Sequence, residues 1–246
     1  MSMSSISAIA DDWWARDFAC SSTELRPSRT RVQQHAGALL DNPGIWILVA
    51  GGAPLISLPS DAMNVLADLA QSWAVSDVAD AAGLQSQLVS VCNLPVDKIL
   101  GPAFIGYGSS DSLDFRDAEL AQYFSSSEAI GRLQAACLPD EWDHGGSQPH
   151  PDRTFGVVDH ANGLLALAGY KIWNNSIAHI SIVTHPAKRG RGFGRAAVAR
   201  AAQHALGAGL VPQYRTLRQN APSMGIAKRL GFIEYGFSVY VRLRAG

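Results

Sequence analysis

Residues 182–197, IVTHPAKRGRGFGRAA, constrain the fold and the chemistry of this chain more than any other segment. An apolar strand pattern runs into a loop with three glycines, Gly190, Gly192 and Gly194, and the loop runs into an alanine-rich helix pattern. Glycine lets a ligand approach the backbone without meeting a Cβ atom. The unpaired amides and positive dipole of a helix N-terminus attract anions. The segment therefore predicts an anion site at a strand-to-helix turn.

Four cations, Lys188, Arg189, Arg191 and Arg195, surround this turn, although the formal net charge of the whole chain is only −1. The positive field is therefore local, and a pyrophosphate satisfies both the glycines and the cations. Two other interpretations remain open for the loop. The first is a tight turn whose arginines are merely solvated. The second is a nucleic-acid-binding patch, although Phe193 as the only aromatic residue would be unusual for one. We expect no nucleic-acid partner.

Two common pyrophosphate-binding motifs are not matched. A Walker loop needs a Gly-Lys pair, and the sequence contains none. A dinucleotide fingerprint read from Gly192, Gly194 and Ala197 requires an acidic residue about twenty positions later. That region, residues 211–220, reads VPQYRTLRQN and contains no acid. Nucleoside triphosphates and dinucleotides are thus disfavoured.

The loop resembles the pyrophosphate motif of the GNAT acyltransferase superfamily, R/Q-x-x-G-x-G/A after a strand, at Arg189, Gly192 and Gly194. A second segment, Asn220 to Phe232, is similar to the family's N-x-x-S/A…GF helix. The resemblance covers about residues 115–246. It implies an α/β (α+β) fold of GNAT type, with a mixed, mostly antiparallel central sheet.

The resemblance also implies a reaction: transfer of an acetyl group from acetyl-CoA to a primary amine of a small molecule or peptide, by direct attack in a ternary complex. It assigns cofactor contacts as follows: Ile182, Val183 and Thr184 to pantetheine, Arg189, Gly190, Arg191, Gly192, Phe193, Gly194 and Arg195 to the pyrophosphate, and Asn220 and Ser223 to the CoA arm. The alternative is a non-catalytic acyl-CoA sensor or interaction module.

The family's usual general acid, a tyrosine, is replaced here by Ala227. Tyr235, on a strand that follows, is the substitute acid that we expect, although an ordinary edge-strand aromatic also explains it. His179 is the expected base, because strand alternation sets it beside Ser181 and Val183 on one polar-leaning face. A histidine accepts a proton near neutral pH, directly or through water.

A second cluster, Glu141, Trp142 and His144, lies where the family fold carries its acceptor-binding loop. A carboxylate, an aromatic ring and an imidazole suit a cationic amine through charge pairing, stacking and proton acceptance. An ordinary polar loop with one anchoring tryptophan explains the same residues. We expect these three side chains to bind the acceptor, with Glu141 also a catalytic candidate.

Patterning outside these motifs predicts the organisation of the chain. Residues 1–24 form an N-terminal arm, residues 25–114 a smaller α/β lobe that is a degenerate GNAT-like unit at most, and residues 115–246 the GNAT domain. The strand runs near residues 45–58 predict a hairpin. Ser125, followed three residues later by Glu128, predicts a helix capping box.

Three scattered cysteines and no His run at metal spacing predict neither a disulfide framework nor a metal site. The first twenty residues lack the pattern of a signal peptide, and no apolar run of 18 residues occurs. We therefore expect a cytoplasmic protein without a membrane partner, as a monomer or homodimer.

Overall fold

The computed structural model describes residues 3–145, 150, 152–161 and 163–244, with the exception of the Met3 and His144 side chains. The chain divides into two compact units. Unit 1 comprises Met1–Ile6, Gly106–Arg215 and Ala221–Ile233; unit 2 comprises Ser7–Ile105, Thr216–Asn220 and Glu234–Gly246. Both units are discontinuous in sequence, whereas the sequence pattern predicts three consecutive segments, 1–24, 25–114 and 115–246. Long-range strand pairing, which composition does not report, assigns the C-terminal strand to unit 2.

The described residues form eight α-helices: α1 (Met3–Asp17), α2 (Ser60–Gln71), α3 (Val75–Ala79), α4 (Ala81–Ser90), α5 (Ser127–Ala136), α6 (Pro139–Gly145), α7 (Phe193–Gly207) and α8 (Ala221–Leu230). They also form ten strands: β1 (Arg31–Gln34), β2 (Ile45–Val49), β3 (Leu55–Leu58), β4 (Val96–Tyr107), β5 (Gln122–Tyr123), β6 (Thr154–Val158), β7 (Leu164–Trp173), β8 (Ile177–Thr184), β9 (Val211–Leu217) and β10 (Ile233–Leu243). None of the described helices is both long enough and apolar enough to cross a membrane.

The sheet of unit 1 has the strand order β9-β8-β7-β6-β5. The pairs from β5 to β8 are antiparallel, and β8 pairs with β9 in parallel. Parallel strands need a crossover connection, which α7 supplies between β8 and β9. The buried side of α7 is mostly alanine, so the helix backbone packs close to the sheet. The predicted mixed, mostly antiparallel sheet is confirmed.

A second layer covers the other face of the unit 1 sheet. Ala129, Ile130 and Leu133 of α5 pack with Leu167 and Val183 in an apolar cluster. This helix begins one residue later than the sequence pattern indicates. Ser126 is its N-cap and accepts a hydrogen bond from the amide of Ala129, so the predicted cap at Ser125 was wrong by one position.

In unit 2 the strand order is β1-β3-β2-β10-β4. The predicted hairpin near residues 45–58 is confirmed, because β2 and β3 pair antiparallel. β10 pairs antiparallel with β2, and β1 pairs in parallel with β3. Apolar side chains of these strands and of α2 and α4 form the core of the unit. Burying such side chains contributes about 25 cal/mol per Å² of apolar surface.

Candidate functional site

The loop between β8 and α7 contains two glycines with left-handed backbone. Gly190 has φ +75° and Gly192, the N-cap of α7, has φ +86°. A Cβ atom at either position would meet no other atom within 4 Å. Their role is thus conformational, since L-residues rarely adopt these angles. Both glycines lie exposed beside open space in which a ligand can reach the backbone.

The backbone amides from Arg191 to Arg195 donate to no acceptor among the residues that the structure describes. Gly192 offers no capping side chain, and no acidic residue stands in the first turn of α7. Free first-turn amides and an uncompensated dipole leave this helix end strongly favourable for an anion. The geometry therefore agrees with the anion site that the sequence predicts.

Gly194 has a different role from the other two glycines. A Cβ atom there would lie 2.6 Å from Thr184 Oγ1 and 3.3 Å from Ile226 Cδ1. The missing side chain lets the first turn of α7 pack directly against the end of β8 and against α8. Gly194 therefore allows the helix to pack closely on the strand, whereas the sequence predicts that it allows a ligand to approach.

Two of the four loop cations have carboxylate partners. Arg189 Nη2 lies 2.9 Å from Glu141 Oε2, and Arg195 donates to Asp117. Arg191 lies over the ring of Phe193, with its guanidinium carbon 5.4 Å from the ring centroid. Both ion pairs are partly exposed, so each contributes little to stability. These two carboxylates do reduce the net positive charge around the loop, which contains four cationic side chains.

The parallel pair β8–β9 opens before its strands end. Its register runs from Ile177↔Val211 to Ile180↔Tyr214, whereas β8 continues to Thr184 and β9 also continues. On its other side β8 stays paired with β7 as far as Thr184. Strand residues alternate in the direction of their amides, so some backbone groups of residues 181–184 point into the opening without a β9 partner.

His179 lies one position before this opening, within a chain of polar contacts. Its Nδ1 is 2.9 Å from Gln213 Oε1, and Gln213 Nε2 donates to the Tyr107 hydroxyl at 2.7 Å. Trp173 stacks on the imidazole, with ring centroids 4.1 Å apart and planes within 12°. In this arrangement Nδ1 carries the proton and Nε2 is the basic nitrogen. Within the described residues Nε2 has no hydrogen-bond partner.

Burial lowers the pKa of His179 to about 4, and the positive charges of Arg215 and Lys171 act in the same direction. The hydrogen bond that Nδ1 donates to Gln213 Oε1 opposes this shift. The imidazole is therefore neutral at pH 7 and retains a free lone pair. His179 is thus a neutral, oriented imidazole beside the strand opening, and its role as a base stays a prediction.

The acceptor cluster predicted at Glu141, Trp142 and His144 is not assembled as expected. The hydrogen bond from Arg189 is the main cause that lowers the pKa of Glu141, so its carboxylate is ionised and engaged with the loop. Trp142 packs against the apolar cluster that contains Val183. The side chain of His144 lies outside the described residues. Glu141 and Trp142 are thus engaged with the loop and with the apolar cluster, respectively.

Tyr235, the expected acid, belongs to unit 2, where its hydroxyl donates to Asp11 at 2.7 Å. Asn220 also falls in unit 2. Ser223 lies on α8 in unit 1, with its hydroxyl 2.7 Å from that of Tyr214. Burial raises the pKa of Tyr214 to about 12. Ala227, at the position of the family's tyrosine, is fully buried.

Local sequence pattern does not reveal the partners of His179 and of the loop arginines. Gln213 is a fully buried polar residue within a mostly apolar strand, and that pattern is the one signal that points to it. Lys171 and Arg215 carry no comparable signal, and neither does Asp117. Among the described residues, no three His, Cys, Asp or Glu side chains are grouped to hold a metal ion.

Comparison with known proteins agrees with this geometry. The sequence model of the acetyltransferase (GNAT) family matches residues 105–232, which is more than half of the chain. The search of curated proteins returns no match.

Several solved structures are similar to this chain. A GNAT-family acetyltransferase from Colwellia psychrerythraea is 18% identical, with 66% of this chain and 63% of that chain covered and a TM-score of 0.47. A putative GNAT-family acetyltransferase from Novosphingobium aromaticivorans DSM 12444 is 21% identical, with 61% and 67% covered and a TM-score of 0.48. A GCN5-related N-acetyltransferase from Kribbella flavida is 19% identical, with 67% and 65% covered and a TM-score of 0.47.

The match thus spans slightly less than two thirds of the Colwellia and Kribbella proteins. The family assignment rests on the matched sequence model, which contains the strand opening, the glycine loop and α8. This chain belongs to the GNAT family of acetyltransferases, enzymes that carry out acyl transfer.

Proposed function

We propose that this protein transfers an acetyl group from acetyl-CoA to a primary amine by direct attack. The observation that carries the proposal is the opening of the β8–β9 pair after Ile180 and Tyr214, next to the uncapped N-terminus of α7. A strand opening offers backbone groups to an extended ligand, and the helix end offers amides to its phosphates. A molecule with a long amide-containing arm and a pyrophosphate matches both.

The residues present fit this cosubstrate. Gly190 and Gly192 leave free space above the loop backbone, and the amides from Arg191 to Arg195 point to no other acceptor among the described residues. These amides would hold the pyrophosphate. The backbone groups of residues 182–184 that face the opening would hold the pantetheine arm and polarise the acyl carbonyl.

We assign different substrates to the two faces of the unit 1 sheet. On one face, which we name the cofactor face, Thr184 and Ile182 meet the first turn of α7, and Tyr214 meets Ser223 of α8. The opposite face carries His179, and we name it the acceptor face. The loop would lead the cosubstrate to α7 on the cofactor face. We therefore place the amine on the acceptor face, which α5 covers only in part, over Leu167 and Val183.

His179 is the proposed base. Acetyl-CoA supplies an activated acyl carbon and a thiolate that leaves readily. Neutral Nε2 of His179 accepts the amine proton as the new C–N bond makes that proton acidic. Gln213 holds Nδ1 and Trp173 holds the ring plane, so the lone pair keeps one direction. The low pKa of His179 means that the proton passes on quickly to water.

Direct attack also agrees with the state of the cysteines. Burial raises the pKa of the thiol at Cys20, Cys92 and Cys137. A thiol that stays protonated at neutral pH is a poor nucleophile, so an acylated cysteine is disfavoured as an intermediate.

Release of free thiol from acetyl-CoA tests the proposal with a panel of primary amines. We expect acceptor-dependent release and initial velocities whose double-reciprocal lines intersect, as a ternary complex requires. Parallel lines would indicate a covalent intermediate and contradict direct attack. Tight CoA binding without turnover for any amine would favour the sensor function instead.

A further inference from the structure

Helix α6 lies against the acceptor face of β8, next to the strand opening. A Cβ atom on Gly145, the last residue of α6, would lie 2.6 Å from the Ile182 carbonyl oxygen and 3.4 Å from Val183 Cγ2. Trp142, three residues earlier, packs in the apolar cluster that contains Val183. Strand alternation places Val183 on the same face as His179. The end of α6 therefore covers the acceptor face at Ile182 and Val183.

The carbonyl that α6 approaches belongs to the opening. The amide of His185 donates to the Leu165 carbonyl at 2.9 Å, so these two residues form a hydrogen-bonded pair that extends the β7–β8 ladder. Such pairs occur at every second residue of an antiparallel ladder. Val183 thus directs its backbone groups towards β7, whereas Ile182 and Thr184 direct theirs to the side of β9, where pairing has ended. α6 therefore lies over a backbone group of the proposed pantetheine site.

One carboxylate joins α6 to the glycine loop. Glu141 Oε2 accepts hydrogen bonds from Arg189 Nη2 at 2.9 Å and from the Leu138 amide, just before α6, at 3.2 Å. Arg189 Nε also donates to the Thr184 carbonyl at 3.4 Å. We name the Glu141–Arg189 ion pair the latch. Through it, α6, the loop and the end of β8 meet at one guanidinium group.

We propose that Glu141 is a positioning residue: through Arg189 it holds α6 over the opening, and a bound pyrophosphate releases α6 by taking the guanidinium. This inference rests on the proposed function and names the regulation of its site. Release of α6 uncovers the acceptor face beside Ile182. Binding of the cosubstrate and access of the amine are thereby coupled, and such coupling is reciprocal.

The latch and the pyrophosphate compete for the same side chain. Both side chains of the latch are partly exposed, and an exposed ion pair shifts an equilibrium by only about two- to fivefold. A pyrophosphate gains charge-assisted, often bidentate bonds from Arg189 and further bonds from the amides at the N-terminus of α7. The pyrophosphate is therefore the stronger partner, and a weak latch suits a contact that must open.

Amide hydrogen exchange of α6 tests the latch in the apo protein. We expect Glu141→Gln and Arg189→Met each to speed this exchange about two- to fivefold, because each removes the ion pair. Arg189→Met leaves the bond between Glu141 and the Leu138 amide in place, so it separates the latch from simple capping of α6. Glu128→Gln is the matched control, because Glu128 pairs with Arg132 within α5. It should leave α6 exchange unchanged.

Ligands test the release. Saturating CoA, or inorganic pyrophosphate as the smallest probe, should speed α6 exchange in the wild type and add little in Glu141→Gln. The Kd of CoA should fall about two- to fivefold in this variant, and the KM of acetyl-CoA likewise, with kcat unchanged. Asp117→Asn controls for loss of a negative charge, because Asp117 pairs with Arg195 of the same loop. It should leave α6 exchange and its response to CoA as in the wild type.

A further variant tests the contact of α6 with β8 without changing a charge. Gly145→Ala should speed α6 exchange, because its Cβ atom would press on the Ile182 carbonyl. Gly131→Ala is its control, since a Cβ atom on Gly131 of α5 meets no atom within 4 Å. Equal exchange of α6 in these two variants would mean that α6 does not cover the opening.

The outcomes separate the two proposals. Unchanged α6 exchange in apo Glu141→Gln and Arg189→Met overturns the latch and leaves the transferase intact, as does a higher Kd of CoA in Glu141→Gln. If neither CoA nor pyrophosphate alters α6 exchange in the wild type, release by the cosubstrate is overturned. Absence of turnover with every amine, together with faster α6 exchange in CoA, overturns the transferase and supports the latch.

Discussion

A parallel strand pair occurs in each unit, and the two pairs end differently. In unit 2, β1 and β3 pair over all four of their residues, from Arg31↔Leu55 to Gln34↔Leu58. In unit 1, β8 and β9 pair over four residues and then separate while both strands continue. A closed pair satisfies its backbone internally, whereas an open pair leaves backbone groups for a ligand.

The helices that follow these strands differ in the same sense. Only Pro59 separates β3 from α2, and Asp61 in the first turn compensates the positive end of the helix dipole. Eight residues, 185–192, separate β8 from α7, whose first turn has no acid and contains Arg195. The β3–α2 connection is thus short, and its helix dipole is compensated by an acidic residue. The β8–α7 connection is long, and its helix N-terminus stays positive. This difference locates the proposed cofactor site in unit 1.

A buried histidine, His35, and a partly buried one, His179, extend the comparison and give the largest expected effect. In unit 2, His35 bonds through both ring nitrogens, to Ser57 Oγ at 2.7 Å and to the Gly44 carbonyl at 2.8 Å. His179 bonds through one. We expect His179→Gln to lower kcat by about 100-fold or more, because it removes the base. His35→Gln should lower the free energy of unfolding with little change in kcat.

Steady-state kinetics and urea unfolding on both variants check this expectation. Equal losses of kcat in the two would mean that His179 is only a structural residue. The pH profile gives a second check. Since the pKa of His179 is lowered to about 4, its protonation should reduce kcat/KM only near that pH. An activity loss centred near pH 6.5 would contradict the assignment.

The second prediction concerns the uncapped end of α7. Gly192→Asp adds a carboxylate where the pyrophosphate is expected, so CoA should no longer stabilise the protein. At 100 times its Kd, a ligand adds about 2.7 kcal/mol to the free energy of unfolding. Gly209→Asp is the matched control, because Gly209 likewise has a positive φ, +75°, and free space but lies beyond the other end of α7.

Thermal unfolding with and without CoA measures both variants. The strain of an aspartate at positive φ lowers the melting temperature of each apo protein, so the difference between apo and CoA-bound forms is the quantity to compare. If Gly192→Asp retains the full CoA shift, the anion site lies elsewhere.

The third prediction tests the close packing of α7 on β8. Gly194→Ala should destabilise the protein by about 1–3 kcal/mol, because its Cβ atom would press on Thr184 Oγ1. Thr184→Ala removes that atom and should recover part of the loss in the double variant. Gly207→Ala, in open space on the same helix, should instead stabilise by up to about 1 kcal/mol. Urea unfolding reports all four proteins, and additive effects would exclude the contact.

The smallest expected effect belongs to unit 2. Asp61→Asn removes the charge that compensates the α2 dipole and should cost about 0.3–1 kcal/mol. The CoA-dependent rise in melting temperature should stay the same, because this helix end carries no part of the proposed site. A change in CoA binding would contradict the assignment of the cofactor site to the β8–α7 connection alone.

Much of unit 1 follows from local pattern. β8 ends at Thr184 and α7 begins at Phe193, so the strand, the loop and the helix lie where the sequence of residues 182–197 predicts them. Apolar alternation and helical periodicity depend on neighbours a few residues away, which the sequence shows directly. The cap of α5 was missed by one residue because Ser125, Ser126 and Ser127 are all able to cap.

The partners of the site residues follow no such pattern. His179 contacts Gln213 across 34 positions, Arg189 contacts Glu141 across 48, and Arg195 contacts Asp117 across 78. Tyr235 contacts Asp11 across 224. Local periodicity does not encode such pairs, so an arginine in a loop gives no sign of whether a carboxylate neutralises it.

The sequence by itself determined that residues 182–197 form a strand, a glycine loop and a helix N-terminus suited to an anion, because left-handed turns and helix dipoles are local properties. Tertiary structure decided what surrounds that terminus. It paired Glu141 with the loop, assigned Tyr235 to unit 2, and set Lys171 and Arg215 on the face of His179. Strand register sets the positions of Lys171 and Arg215, and packing between elements far apart in sequence brings Glu141 to the loop.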